Sequence, residues 1–320
     1  ARHSRFQVAR TQLTRKTMPN VLLTATLAMA TTAAAAEYFP APDSAGGWRK
    51  PKDTRDALAK TGINTSELDR AFEWTKLTTK HGGLLVARQG WLVYERYFGR
   101  AHRDATPNSG SVGKSFTSVS VGILLHQRRD LFPAGLDQKV FTRAYFPAAM
   151  FPLSDPRKAE IKLGHLLAMS AGIRGNNPGY VSGRQVTLDP AGPDGWQSMV
   201  DEMAFGKQDA ALNTKTLWCE PGAGYSYASS SPHLASIMLR HVTGKELQQF
   251  VRENIAEPLG FGRWGWGYRD RLQHTAGAGG IALRPTDMLR FAYMLLRQGK
   301  WNGRQIVPAE YVARCARSSP

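Results

Sequence analysis

Apolar and polar positions along the chain follow two different periods. "NTSELDRAFEWTKLT" (64–78) places Leu68, Phe72 and Leu77 at helical spacing, with Ser66 as a candidate cap, and predicts a helix. "GGLLVARQGWLVYERYFG" (82–99) gives two β-rich runs around Arg88-Gln89-Gly90 and predicts a hairpin. Its second run, Trp91 to Phe98, is aromatic and partly alternating. A polar loop over 99–108 then leads into "SVGKSFTSVSVGILLHQRR", an apolar helix. "IKLGHLLAMSAGI" (161–173) reads as a short buried helix ending at Gly172. Two more helices are predicted over 230–244 and 244–261, stopped by Gly244 and by Pro258. A strongly amphipathic one covers 284–299, with Thr286 or Asp287 as its cap and Gly299 as its stop. Residues 37–65, rich in Pro and Gly, read as a surface wrap. A hairpin, a mostly helical middle and a late helix make an α+β protein, not the alternating βαβ of a doubly wound sheet.

The chain has 320 residues and 42% apolar content, enough to bury a substantial core. Its formal charge is +17. Arg2, Arg5, Arg10, Arg15 and Lys16 precede the first acid, Glu37, which leaves 37 basic against 25 acidic residues for the rest. Such a surface favours anionic partners. The basic residues are dispersed, however, with no dense run and no nucleic-acid motif, so a solvated basic face is expected and nucleic acid is not. Cys219 and Cys315 make no C-x-x-C; they could pair in an oxidising compartment or stay as thiols.

"MPNVLLTATLAMATTAAAAEYFPAP", from Met18, has basic residues just upstream, an apolar stretch from Val21 to Ala30, and a small-residue run ending at Ala36. That is the layout of a secretory signal peptide, cleaved after Ala34–Ala36. The run is too short and too Thr-rich for a good membrane span. The expectation is a secreted or periplasmic protein. Residues 1–36 form an upstream segment and signal, and 37–320 one domain. Within that domain, 37–110 and 275–320 would hold the sheet and 111–274 the helices.

The stretch "PNSGSVGKSFTSVSVGILL" (107–125) carries two competing motifs. A phosphate loop, G-x-x-x-x-G-K-[ST], would need Gly where Asn108 stands and a buried strand just before it, and both requirements fail. Ser-x-x-Lys asks only that Ser111 and Lys114 lie one helical turn apart on one face. There an amine can take the hydroxyl's proton, and the helix N-terminus offers N–H groups to developing negative charge. Gly110 and Gly113 leave room for substrate near the backbone.

Five segments in this order, "SVGKSFTSVSVGILL", "IKLGHLLAMSAGI", "EPGAGYSYASSSPHLASIML", "VTGKELQQFVRENIAEPLGF" and "AGAGGIALRPTDMLRFAYMLLRQGKWNGRQIVP", resemble the serine β-lactamase-related superfamily. The branch holds class C β-lactamases, D-alanyl-D-alanine peptidases, family VIII esterases and 6-aminohexanoate-dimer hydrolases. The resemblance covers about residues 80–312 and implies an antiparallel sheet flanked by helices beside an all-helical region, with the site between them. It implies Ser111 as nucleophile and Lys114 as its partner. The family's second motif, Tyr-x-Asn or Tyr-x-Ser, lies six residues after the Pro of a Pro-Gly pair. From Pro221-Gly222 that is Tyr227-Ala228-Ser229, with Tyr227 as proton relay; Tyr225 is the rival. Ser229, where the lactamases carry Asn, points toward the esterase and amidase branches and could bond the lysine or a substrate amide. Gly110 is a second candidate at the substrate. Lys60-Thr61-Gly62 spells the third motif but precedes the nucleophile and reads as a coincidence in a turn. "HTAGAGG" (274–280) precedes the 284–299 helix and is set aside.

The third motif would then fall beyond Pro320. The expectation is a chain lacking the last sheet strands, with a complete, diverged protein as the alternative. The expected function is hydrolysis of a small ester or amide through an acyl-enzyme on Ser111. The alternative is a relative that keeps the pocket for binding, as a penicillin-binding receptor would, or a peptidase or β-lactamase. No cofactor is implied. His81, His165, His233, His241 and His274 show no metal-ligand spacing.

Overall fold

The computed structural model describes residues 37–153, 155–175, 178–188, 217–268 and 274–317. The signal-like segment and most of the loop 174–216 lie outside them. The 37–65 segment is not all wrap: α1 (Thr54–Thr61) forms within it, capped by Asp53, whose side chain accepts from Asp56 N, and ended by Gly62 at φ 70°. Lys60-Thr61-Gly62 is therefore a helix terminus, and Thr61 Oγ1 bonds back to Ala57 O at 2.7 Å. The helix α2 (Thr65–Thr78) is capped by Asn64, not Ser66; the Asn64 side chain accepts from Ser66 N. An amide oxygen one residue outside the helix reaches a free first-turn N–H that a residue already inside it cannot.

The hairpin forms as expected, β1 (Gly82–Arg88) pairing antiparallel with β2 (Trp91–Phe98), with a register shift at Val86/Ala87. Gln89 and Gly90 both have positive φ, 51° and 79°, the conformation whose twist matches the strands. One side of the hairpin packs on α2, where Phe72 meets Tyr94 and Phe98. Leu92 joins the main core instead.

That core is helical. The helix α3 (Gly113–Gln127) follows a 3-10 turn, Gly110–Val112, and buries Phe116, Val119, Val121, Ile123 and Leu124. The helix expected over 161–173 shrinks to α4 (Leu163–Leu167), because the chain beyond it turns at Met169 (φ 54°) and Gly172 (φ 74°). A small antiparallel sheet, in the order β4-β3-β5, interrupts the segment expected to be helical: β3 (Gly179–Val181), β4 (Arg184–Val186) and β5 (Gly224–Tyr225). The helix α5 (Ser230–Thr243) ends at Gly244 as expected. Pro258 does not stop the next helix. α6 (Leu247–Val251) widens into a π turn, Arg252–Ala256, and resumes over Glu257–Leu259 before Gly260 ends it at φ 68°. The wide turn, in which Glu257 N bonds Arg252 O, lets the ladder pass a residue that has no N–H to give.

Strands β6 (Trp264–Trp266) and β7 (Ile281–Leu283) pair antiparallel, and Asn108 bridges to Ala282 beside them. The helix α7 (Pro285–Leu296) stacks Phe291 on Phe116 of α3 at 3.9 Å between ring centroids. A last hairpin, β8 (Lys300–Trp301) and β9 (Arg304–Gln305), leads to α8 (Ala309–Cys315). Tyr311 of α8 lies where a side chain at Gly122 would be, 2.5 Å from its Cβ position, so that glycine seats α8 on α3. Cys219 and Cys315 are both free thiols.

Neither Thr286 nor Asp287 caps α7. Both turn inward instead. Arg290, fully buried, donates to Pro40 O (2.8 Å) and pairs with Asp43 (2.9 Å). Asp287 holds Arg284 and Gly262 N. Burial raises the Asp43 pKa, but the hydrogen bond and charge of Arg290, with Arg103 and Arg284, outweigh it and keep the carboxyl below its ordinary value. Removing one partner of a buried pair leaves the other charge desolvated. Arg290→Met should therefore destabilise the protein by about 3–5 kcal/mol in urea unfolding. A loss below about 1 kcal/mol, the scale of an exposed pair, would show that the cluster contributes little.

Candidate active site

Ser111 sits in the exposed 3-10 turn that opens α3, and Lys114 one turn later is half-buried. Lys114 Nζ donates to Ser111 Oγ at 3.0 Å. It also donates to the carbonyl of Ala278 at 2.6 Å. Tyr227 comes from a separate segment, and Lys114 Nζ lies 5.1 Å from the centre of its ring. Burial raises the Tyr227 pKa; hydrogen bonds to Ser111 and Lys114, and the lysine charge, more than offset it and bring the phenol below its ordinary value. An ammonium has three protons. Here they meet a serine oxygen, a backbone carbonyl and a tyrosine oxygen.

The Ala278 carbonyl was not foreseen. It belongs to "HTAGAGG", set aside for its place in chain order, yet this segment lies directly against the Gly110–Val112 turn that carries Ser111. Gly280 N donates to Gly110 O (3.1 Å), and Ser109 bonds Ile281 O through both N and Oγ (2.9 and 2.8 Å). The approach is backbone on backbone. A Cβ on Gly113 would lie 2.8 Å from Gly279 Cα, and one on Gly279, at φ +146°, would lie 2.4 Å from Gly110 O. The space at Gly113 is thus filled by Gly279, not left for substrate. Gly110 differs: it has φ +53°, and nothing lies within 4 Å of its Cβ position. Its N–H is held by Asn108 Oδ1 at 2.8 Å.

Tyr227 is fixed from the other side. Leu217 N and Arg157 share the buried carboxylate of Asp155, at 2.9 and 2.7 Å, and Arg157 Nη2 also donates to Leu217 O. The Arg157 hydrogen bond, with N–H groups of Leu217 and Arg157, holds the Asp155 carboxyl well below the usual carboxylate range. Gly222 N bonds Ser170 O, Ser226 N bonds Met169 O, and Gly175 N bonds Ser226 Oγ. Gly175 has no room for a side chain, its Cβ position being 2.2 Å from Tyr227 O. Tyr225, the rival, is 41% exposed on β5 opposite Tyr180, and no hydrogen bond joins it to Ser111 or Lys114 among the described contacts. Ser229 is 3% exposed at the start of α5, and its hydroxyl has no partner among the described residues. It does not bond Lys114.

Of the five histidines without metal-ligand spacing, His233 accepts from Gly277 N at 3.3 Å, next to the Ala278 segment, and His274 Nδ1 lies 3.1 Å from Glu246 Oε1. Among the described residues no group of three or more His, Cys, Asp or Glu could hold a metal ion, and no helix is long and apolar enough to cross a membrane.

The fold is that of the β-lactamase/transpeptidase-like proteins. Solved structures that align with it include a protein assigned as a β-lactamase from Bacteroides dorei (20% identity, TM-score 0.59, 78% of this chain and 68% of that one). Another is EstCE1, a hydrolase with promiscuous acyltransferase activity (18%, 0.59, 78% and 75%). A third is a Bacillus anthracis protein assigned as a 6-aminohexanoate-dimer hydrolase (21%, 0.57, 79% and 61%). At these identities the likeness is one of fold, and the chain spans between 61% and 75% of their lengths. A search of the curated proteins finds no match. The Beta-lactamase family model matches residues 76–314, and the chain belongs to that family of serine hydrolases.

The glycine contacts make a sharp demand. Gly279→Ala must push the 277–280 segment off the Ser111 turn and withdraw the Ala278 carbonyl from Lys114. Misplacing a reacting group by about 1 Å can cost roughly 10²-fold in rate. The rate at which a fluorophosphonate labels Ser111 should drop by that order; labelling at the wild-type rate would mean that the close approach is not needed.

Proposed function

We propose that the protein is a serine hydrolase that cleaves a small ester or amide through an acyl-enzyme on Ser111. The observation that carries this reading is the meeting of three groups: Lys114 Nζ at 3.0 Å from Ser111 Oγ, with the Tyr227 hydroxyl bonded to both. Lys114, with Ala278 O as a further acceptor, places positive charge beside the Tyr227 oxygen and favours phenolate. That oxygen takes the Ser111 proton as Oγ attacks the carbonyl carbon. In this reading the Ser111 N–H, at the start of the helix, is a donor to the oxyanion. When the tetrahedral intermediate collapses, the bond to the leaving alcohol or amine breaks and Tyr227 returns the proton to it. Water then attacks the acyl-enzyme, Tyr227 receives its proton, and the acid leaves as Ser111 regains its hydrogen. Ester and water become acid and alcohol, with no cofactor in the balance. Ser229, placed where the lactamases carry Asn, supports the esterase and amidase side of the family.

The other reading, a pocket retained for binding alone, predicts no covalent chemistry. p-Nitrophenyl butyrate turnover and intact-mass detection of a fluorophosphonate adduct separate the two. The wild-type chain should turn over the ester and gain one adduct, and Ser111→Ala should lose both. An adduct that persists in Ser111→Ala would remove Ser111 from the mechanism.

The lowered Tyr227 pKa sets a pH dependence. A base works deprotonated, so kcat/KM should be fully developed above the pair's apparent pKa and lost as pH falls through it, with that limb below the ordinary phenol range. Tyr227→Phe should remove the limb and lower kcat/KM by roughly 10²–10⁴. A limb that survives in Tyr227→Phe would assign the base elsewhere.

Export through residues 18–36 is part of the same proposal. Mature protein from a bacterial host should begin between Ala35 and Glu37, and N-terminal sequencing that finds Met18 retained would refute it.

A further inference from the structure

The small sheet beside Tyr227 has two unlike faces. Tyr180 and Tyr225 are direct cross-strand partners and so project from the same face. Their ring centroids are 6.3 Å apart at 43°, and the residues are 39% and 41% exposed. The opposite face is flat. Gly179 and Gly224 alternate with the tyrosines along their strands. A Cβ at either would lie 3.2 or 2.6 Å from Cη2 of Trp218, whose ring fills the space behind the sheet. Two glycines and a tryptophan thus hold a pair of strands whose front carries little besides two phenol rings, open to solvent. An exposed tyrosine pair set this firmly, one member of it two residues along the chain from a phenol that bonds Ser111, calls for an occupant.

The direction of the chemistry says which part of a substrate lies there. On the reading that Ser111 attacks and Tyr227 protonates the leaving oxygen or nitrogen, the leaving group must lie on the Tyr227 side of the scissile bond. Tyr225 is two residues before Tyr227 in the chain; burial first, then the charges of Tyr227 and Tyr180, raise its phenol pKa. Rings meeting at this angle and spacing form a notch that accepts a third ring edge-on or offset. We propose that Tyr180 and Tyr225 form the leaving-group subsite, and that the alcohol or amine released is aromatic, so that the favoured substrates are aryl esters or aryl amides. Both residues act on specificity by contact and move no proton. The inference deepens the proposed hydrolase activity by naming the substrate class.

The test has two arms. In the first, kcat/KM is measured for phenyl acetate and for 2,2,2-trifluoroethyl acetate, which share an acyl group and differ in the group released. An aromatic contact is worth roughly three- to tenfold in such a comparison. The ratio of phenyl to trifluoroethyl ester should fall by that factor in Tyr225→Ala and again in Tyr180→Leu, which lies on a different strand from the relay, and Tyr225→Phe should restore it. An unmoved ratio, with both esters slowed equally or neither slowed, overturns the proposal. The second arm needs no turnover. Saturation-transfer NMR of phenol, the product of the first arm, is run on Ser111→Ala, and then with Tyr180→Leu added. Contact that is present in the first and lost in the second supports the subsite; contact that persists, or is absent from both, overturns it. A chain in which Ser111 proves not to be the nucleophile would fail the adduct experiment while leaving the phenol arm readable.

Discussion

The site depends on one close approach of backbone to backbone. The 277–280 segment can touch the Ser111 turn only because Gly113 and Gly279 have no side chains, and Gly279 adopts a φ that other residues rarely hold. From that contact follow the bond of Gly280 N to Gly110 O and the double bond of Ser109 to Ile281 O. So does the position of the Ala278 carbonyl at Lys114. A lysine on an exposed helix start would ordinarily sweep through many rotamers, at a cost of about 1.5–2 kcal/mol to immobilise. Three acceptors, one of them a rigid carbonyl, hold it in one place. The same contact couples α3 to β7 and α7, and the Phe116–Phe291 stack continues that coupling into the core.

The side-chain chemistry was legible in the sequence, and the backbone chemistry was not. Ser111 and Lys114 are three apart at the head of an apolar run, a spacing with a direct geometric meaning. Tyr227 was implied only by the family resemblance, through the spacing of that family's second motif from Pro221-Gly222, and it is its hydroxyl that hydrogen-bonds Ser111 and Lys114. The Ala278 carbonyl carries no side-chain signature, because any residue supplies a C=O. Only the glycines around it hint at a close approach, and glycines are also what turns contain. The same reason explains Gly113: a missing side chain reads equally as room for a ligand or room for a neighbouring strand, and the neighbour, Gly279, arrives from 166 residues further along.

Among the fold elements, the long periodic ones were read well and the short ones were missed. The hairpin β1–β2 and the helices α2, α3, α5 and α7 each carry enough repeats of their period to stand out from the sequence. The strands β3, β4 and β5 are two or three residues long, too short for any alternation to register. Pro258 was misread because the rule that proline ends a helix assumes an unbroken i→i+4 ladder, and the π turn at Arg252–Ala256 lifts that assumption. Asp287 was misread as a cap because acidic residues in a first turn usually face solvent, whereas here Arg284 and Gly262 N draw it inside.

Charge balance around Lys114 ties these observations to function. Burial alone disfavours phenolate. The hydrogen bonds of Ser111 and Lys114, together with the lysine charge, reverse that preference at Tyr227, and Lys114 is held in reach by the Ala278 carbonyl, on a segment remote from Tyr227 in the chain. The chain leading to Tyr227 is held in turn at Leu217 by Asp155 and Arg157, and at Gly222 and Ser226 by the backbone of Ser170 and Met169. Lys114 and Tyr227 are therefore brought together from two separately anchored pieces of chain, and neither piece alone creates the perturbed phenol. A disturbance at the Asp155 clamp and one at Gly279 should thus converge on a single chemical symptom, a phenol whose pKa returns toward its ordinary value, even though they act on opposite sides of the serine.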